Sequence, residues 1–208
     1  MVSKQMNLFK SQPKNSSEIP NEPSAEKSES SFKEFVVFAL LTIVIVLPIR
    51  LFVAQPFIVN GESMLPTFQN GQYLIVDELT YRFRSPDRGE VIIFRFPNDP
   101  SKFFIKRVIG LPGETIELIE NDVFITSTDG STTILLEEEY IELQKNNDSV
   151  TILEDDEYFV MGDNRLASLD SRIWGPLGED FVVGRALVRL LPFSEIGVLP
   201  GNINFENE

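Results

Sequence analysis

The sequence predicts a mainly β, antiparallel domain carried on one N-terminal transmembrane helix. Three observations predict it: an apolar run at residues 35–53, a series of short β-branched and aromatic stretches after it, and no amphipathic helix of useful length among those stretches. With 208 residues, 42% of them hydrophobic, the chain can bury the core of one ordinary domain or of a domain with a small satellite.

Residues 1–31 are rich in Ser, Asn, Pro, Lys and Glu without an apolar period, so they cannot bury enough surface to offset the entropy of ordering. They read as a disordered tail. The anchor is expected at 32–54. Within it, the nineteen residues of 35–53 are interrupted only by Thr42, Pro48 and Arg50 and would span about 28 Å as a helix. A cleaved signal peptide begins nearer the N-terminus with a shorter apolar core, and a buried core helix would carry a polar stripe. Lys27 and Lys33 precede the span closely and only Arg50 borders its far end, which places the tail in the cytoplasm and the rest outside.

Beyond the anchor, strands are expected at 73–76, 91–96, 103–109, 115–119, 123–125, 132–136, 158–161 and 181–190. Asn70-Gly71, Asp99-Pro100, Pro112-Gly113 and Asp129-Gly130 supply turns between them.

Composition removes whole classes of chemistry. A formal charge of −14, from 32 acidic and 18 basic residues, argues against a nucleic-acid partner, because a phosphate-tracking surface needs Lys and Arg. Without cysteine there is no disulfide, no thiolate nucleophile and no Cys-based metal site; without histidine there is no Ser-His-Asp triad and no H-E-x-x-H zinc helix. Any hydrolase here must take its base from Lys, Asp or Glu.

Only three lysines follow the anchor, Lys102, Lys106 and Lys145, and only Lys106 falls inside an expected strand, on one face with Phe104 and Val108. Burial there would disfavour the ammonium ion and lower its pKa, giving an amine able to take a proton from a hydroxyl. By position alone, a lysine that snorkels to water or pairs with a carboxylate is the commoner outcome. Ser63 lies in Val59-Asn60-Gly61-Glu62-Ser63-Met64-Leu65-Pro66-Thr67, a Gly/Pro-flanked turn that could expose a hydroxyl and aim backbone N–H groups at an oxyanion. Taken alone, such a serine is also an ordinary turn residue.

Four blocks in order resolve the ambiguity by resemblance: Ser63-Met64-Leu65-Pro66-Thr67, Gly71-Gln72-Tyr73-Leu74-Ile75-Val76, Lys106-Arg107-Val108-Ile109-Gly110-Leu111-Pro112-Gly113-Glu114, and Gly162-Asp163-Asn164-Arg165-Leu166-Ala167-Ser168-Leu169-Asp170-Ser171-Arg172. From the anchor to about Arg189 the sequence resembles type I signal peptidases, bacterial membrane enzymes that remove signal peptides from exported proteins. The resemblance implies that Ser63 is the acylated nucleophile and Lys106 its general base. It implies that Ser168 hydrogen-bonds and orients the lysine, and that Asp170 and Arg172 form a structural ion pair. It further implies a barrel-like antiparallel catalytic domain built from 55–113 and 157–195 and a small β satellite at 114–156 with a solvated acidic surface; residues 196–208, beyond the match, are expected to form a C-terminal tail. The expected partners are exported preproteins and the lipid bilayer, with Gln55-Pro56-Phe57-Ile58 helping to seat the catalytic face on lipid.

Signal peptides end in small residues, so the enzyme needs shallow apolar pockets, for which the resemblance implies Val59, Met64, Phe68 and Ile105; each could equally be core. Two departures stand out. Gly61 replaces a serine that joins the oxyanion hole in some members, and Ala167 replaces a frequent asparagine beside Ser168. No cofactor and no metal are expected, since the acidic runs lack the spaced ligands and glycine of a metal loop. The competing readings are a non-enzymatic β domain on a membrane stalk and another, self-cleaving Ser/Lys protease.

Overall fold

The computed structural model describes residues 26–52, 54–141 and 148–205. The chain divides into two compact units, Met1–Ile43 and Val44–Glu208. Most of the expected N-terminal tail lies outside the described residues, but 26–31, assigned to it by composition, are helical.

Helix α1 (Glu26–Phe52) carries the apolar run. Its described large apolar side chains, from Phe32 to Val46, are exposed, and Thr42 Oγ1 satisfies itself by donating to Phe38 O at 2.8 Å. Among the described residues, no helix is long and apolar enough to cross a membrane. The described side chains of α1 end at Val46, so the rest of the span expected to residue 53 lies outside them.

The larger unit is built on two antiparallel sheets. The strands are β1 (Ala54–Ile58), β2 (Tyr73–Asp77), β3 (Val91–Phe96), β4 (Asp99–Gly110), β5 (Thr115–Ile119), β6 (Asp122–Thr126), β7 (Thr133–Leu135), β8 (Ser149–Ile152), β9 (Glu157–Met161), β10 (Leu177–Gly178), β11 (Val182–Leu191) and β12 (Gly197–Val198). The first sheet runs β1-β2-β11-β3-β4-β9-β10, with β12 paired to β11; the second runs β7-β6-β5-β8. Pro56 sits in β1 at the end of its sheet, where a residue without an N–H costs no ladder bond.

The expected strands all form, within a few residues at their ends. Strands β1, β8, β10 and β12 were not foreseen: β1 contains a proline, and the others are too short to show an apolar period. The turn before β4 falls on Pro97-Asn98, so Asp99-Pro100 already belong to the strand.

The two sheets share one core. Ile116, Leu118, Val123 and Ile125 of the second sheet pack with Ile109, Phe159 and Met161 of the first, which ties the two together. Two further clusters cover the first sheet: one around Phe68, Leu74, Val76 and Ile93, the other around Ile92, Phe94, Val108, Tyr158 and Val160. The segment expected to be a C-terminal tail is fixed in its described part, because β12 pairs with β11 and Ile203 N donates to Gly89 O.

Candidate active site

Ser63 sits in the loop between β1 and β2, and its position follows from how that loop is pinned. Gly61 takes a φ of +99°, open to glycine at little cost, and its N–H donates to Asn70 Oδ1 at 3.0 Å. Phe68 N closes the turn onto Met64 O at 2.8 Å, and both side chains are buried beneath the loop. From the far side, Asn164 N–H donates to Ser63 O at 3.0 Å and Asn164 Nδ2 to Glu62 O at 3.1 Å. Thr67 Oγ1 donates to Asp163 Oδ2. The loop is held on three sides, and the Ser63 side chain is left half-exposed.

Lys106 comes from β4, where Ile92 of β3 is its cross-strand partner and Phe104 and Val108 share its face. That apolar wall leaves it 3% exposed. Its Nζ donates to Ser63 Oγ at 2.7 Å and to Ile105 O at 2.8 Å. Burial lowers the amine's pKa from 10.5 to about 8, against the opposing pull of Asp170 and Asp163, while Arg172 adds to the lowering.

The last block forms a turn behind this pair. Gly162 has no side chain, and a Cβ there would collide with Ser168 Oγ and Ser63 O. Asp170 is fully buried: it accepts from Gly162 N at 3.0 Å and from Arg172 Nε and Nη2, both at 2.8 Å. Burial pushes the Asp170 carboxyl up, but the Arg172 bonds and the Gly162 N–H outweigh it and hold it below its ordinary range.

Ser168 differs from what the resemblance implies. Its hydroxyl is buried and has no hydrogen-bond partner of good geometry; the carboxylate of Asp170 is its polar neighbour, and the lysine amine bonds to Ser63 Oγ and Ile105 O. The close approach to Gly162 fixes its position instead.

A groove of about 550 Å³ opens beside Ser63 and Lys106, lined by Phe57, Val59, Phe103, Ile105, Ala167 and Leu169 among others. Of the four residues expected to shape the substrate pockets, Val59 and Ile105 line it. Met64 and Phe68 do not. They lie 1% and 0% exposed in the core cluster beneath the loop, because the turn that lifts Ser63 outward folds its neighbours inward.

Sequence reasoning missed two buried pairs. Arg107 binds Asp163 through Nε at 2.9 Å and Nη2 at 2.6 Å, and Arg165 forks onto Glu138. The Glu137-Glu138-Glu139 run was expected to be solvated, yet only Glu137 and Glu139 are; Glu138 is buried against Arg165. A charge run offers no period from which its buried member could be picked. Lys145, the last lysine, lies outside the described residues.

A hydroxyl bonded to a desolvated amine at the edge of an open apolar groove is the arrangement of a serine hydrolase that works without histidine. The family described as signal peptidase, peptidase S26, matches residues 32–191. Relatives include a probable signal peptidase I-1 of Synechocystis, 39% identical over 83% of this chain and 89% of the relative, and a signal peptidase I of Leptolyngbya laminosa, 37% identical over 86% of this chain and 91% of the relative. A crystal structure of a signal peptidase I from Enterococcus faecalis matches with 28% identity and a TM-score of 0.42, covering 49% of this chain and 97% of that one. This chain belongs to the signal peptidase family.

Proposed function

We propose that this protein is a membrane-bound serine endopeptidase that removes signal peptides from exported preproteins, with Ser63 as nucleophile and Lys106 as general base. The observation that carries the reading is the 2.7 Å hydrogen bond from Lys106 Nζ to Ser63 Oγ, made by an amine whose burial brings its pKa to about 8. The relatives named signal peptidase I support the substrate class.

In this reading the substrate lies extended in the groove, with its small residues facing Val59 and Ile105. The neutral amine takes the Ser63 proton as Oγ attacks the scissile carbonyl carbon. The oxyanion develops near the Ser63 N–H. Collapse breaks the C–N bond, and the Lys106 ammonium returns its proton to the leaving amine. Water, deprotonated by the same amine, then hydrolyses the Ser63 ester and frees the enzyme. Ser168 is assigned the role of orienting the Lys106 amine, and Asp170 with Arg172 holds the supporting turn.

The anchor at 32–54 would hold the protein in the bacterial plasma membrane, N-terminus in the cytoplasm, with the catalytic parts 55–113 and 157–195 and the satellite 114–156 outside. Support comes from the exposed apolar face of α1 and from Lys27 and Lys33 on its N-terminal side.

The test incubates the full-length protein in detergent with a preprotein and maps the product by mass spectrometry. Cleavage directly after the small-residue motif, lost in Ser63→Ala and Lys106→Ala, is the expected result. A cut elsewhere, or one that survives both substitutions, overturns the reading.

A further inference from the structure

The second sheet is joined to the reaction centre by a short segment after β7. Leu136 sits in the core shared by the two sheets, Glu138 two residues later is buried, and Tyr140 follows two residues after that. Glu138 accepts from Arg165 Nη1 at 2.7 Å and from Nη2 as well, and the Tyr140 hydroxyl donates to Glu138 Oε1 at 2.7 Å.

Both neighbours lead to the dyad. Arg165 Nε donates to Gly162 O at 3.2 Å, and Arg165 O accepts from Arg172 Nη2 at 2.9 Å. This is the turn whose Asn164 N–H holds the Ser63 carbonyl and whose glycine lies against it. On the other side, the Tyr140 ring lies 4.4 Å from the Arg107 guanidinium carbon. Arg107 follows Lys106 in β4 and binds Asp163, which in turn accepts from Thr67 in the Ser63 loop. One carboxylate in the segment that leaves the second sheet therefore reaches, in two steps, the backbone behind Ser63 and the strand that carries Lys106.

The side chains of the Arg165–Glu138 pair are 1% and 2% exposed. A buried ion pair is a poor way to gain stability, because its desolvation cost rivals its attraction and apolar replacements of similar volume are often as stable. What a charged fork provides that an apolar contact does not is a fixed direction for the guanidinium.

We propose that Glu138 is a positioning residue for the reaction centre: by orienting Arg165 it sets the 162–168 turn against Ser63, so that the second sheet governs the geometry between Ser63 and Lys106. The proposal rests on the peptidase reading above. A one-ångström displacement of a reacting group can slow a reaction about 100-fold, which is enough to make such a distant residue visible in the rate.

The test uses the full-length protein in detergent and a preprotein substrate, comparing wild type, Ser63→Ala, Glu138→Gln and the double variant Glu138→Met/Arg165→Met. The double variant replaces the pair with apolar side chains and is expected to keep the wild-type melting temperature or exceed it. Its kcat should fall about 10- to 100-fold, with KM within about threefold because Val59, Phe57 and Ile105 of the groove do not touch the pair. The acid limb of its kcat/KM profile should move to higher pH as the loosened turn lets water reach Lys106, whose charged neighbours are Asp163, Asp170 and Arg172. A role in stability alone would shift melting and leave both kcat and the pH limb in place, and that result overturns the proposal. If the double variant does not fold, Glu138→Gln decides: the same fall in kcat supports positioning, and wild-type kcat refutes it. If wild type itself fails to cleave, the peptidase reading falls, and the positioning role with it; if wild type cleaves, Ser63→Ala does not and the pair variants match wild type, only the positioning role falls.

Discussion

Gly162 lies so close to Ser168 that a single added carbon would strike the serine hydroxyl and, on its other side, the Ser63 carbonyl. The missing side chain is what allows the turn to close behind Ser63. Gly162→Ala is therefore expected to push Ser63 away from Lys106 and lower kcat by about 100-fold. Preprotein cleavage by the purified variant, together with its melting curve, separates this loss from unfolding.

The kcat/KM profile should rise with pH through about 8, because in the proposed mechanism only the neutral form of Lys106 accepts the Ser63 proton, and burial sets the midpoint there. Lys106→Ala should abolish cleavage at every pH. A wild-type profile with its acid limb several units lower would assign the base to another group.

The same amine carries a cost in stability. Its pKa is lower in the folded state than the ordinary 10.5, so between about 8 and 10.5 the unfolded chain binds more protons and stability rises with pH. Below about 8 the protein holds a buried ammonium at a cost of about 3 kcal/mol relative to high pH. Lys106→Met should consequently be more stable than wild type at neutral pH, by a margin that narrows between pH 8 and 10.5. Denaturant unfolding at several pH values measures it.

Asp170 presents the opposite sign. Its carboxyl is held below its ordinary 3.8, so its contribution is present above that value and lost as pH falls through the folded pKa. Asp170→Ala leaves the Gly162 N–H without its acceptor and Arg172 without this carboxylate, and should destabilise the protein by about 3–5 kcal/mol. The difference between the two proteins should shrink in acid.

Ile105 lines the groove, and its truncation should show in specificity. Ile105→Ala deepens the wall and should raise the cleavage of substrates with valine or leucine at the small-residue positions by about tenfold relative to alanine. Met64→Leu, a core change of similar volume, should leave that ratio unchanged. Competition between paired preproteins reads both.

Local chemistry made much of this molecule legible in the chain. Strand β5 announces itself by apolar residues at period two and β3 by a short continuous run of β-branched and aromatic residues buried on both faces, and Asn70-Gly71 marks a turn by its backbone freedom. The lack of histidine and cysteine left lysine as the one amine base, and its place in an apolar strand made Lys106 a candidate that the four sequence blocks singled out. Short segments were harder: β1 carries a proline, and β10 and β12 have two residues each, too few for a period.

The order of residues thus determined by itself which side chains have the chemistry to react and which strands would bury them, because both depend on residue type and nearest neighbours. Only the tertiary structure decided that Met64 and Phe68 face inward, that the Ser168 hydroxyl neighbours the Asp170 carboxylate and does not bond the Lys106 amine, and that Glu138 alone of its acidic run is buried against Arg165. Those outcomes turn on distances between segments up to a hundred residues apart, and packing, not local preference, sets such distances.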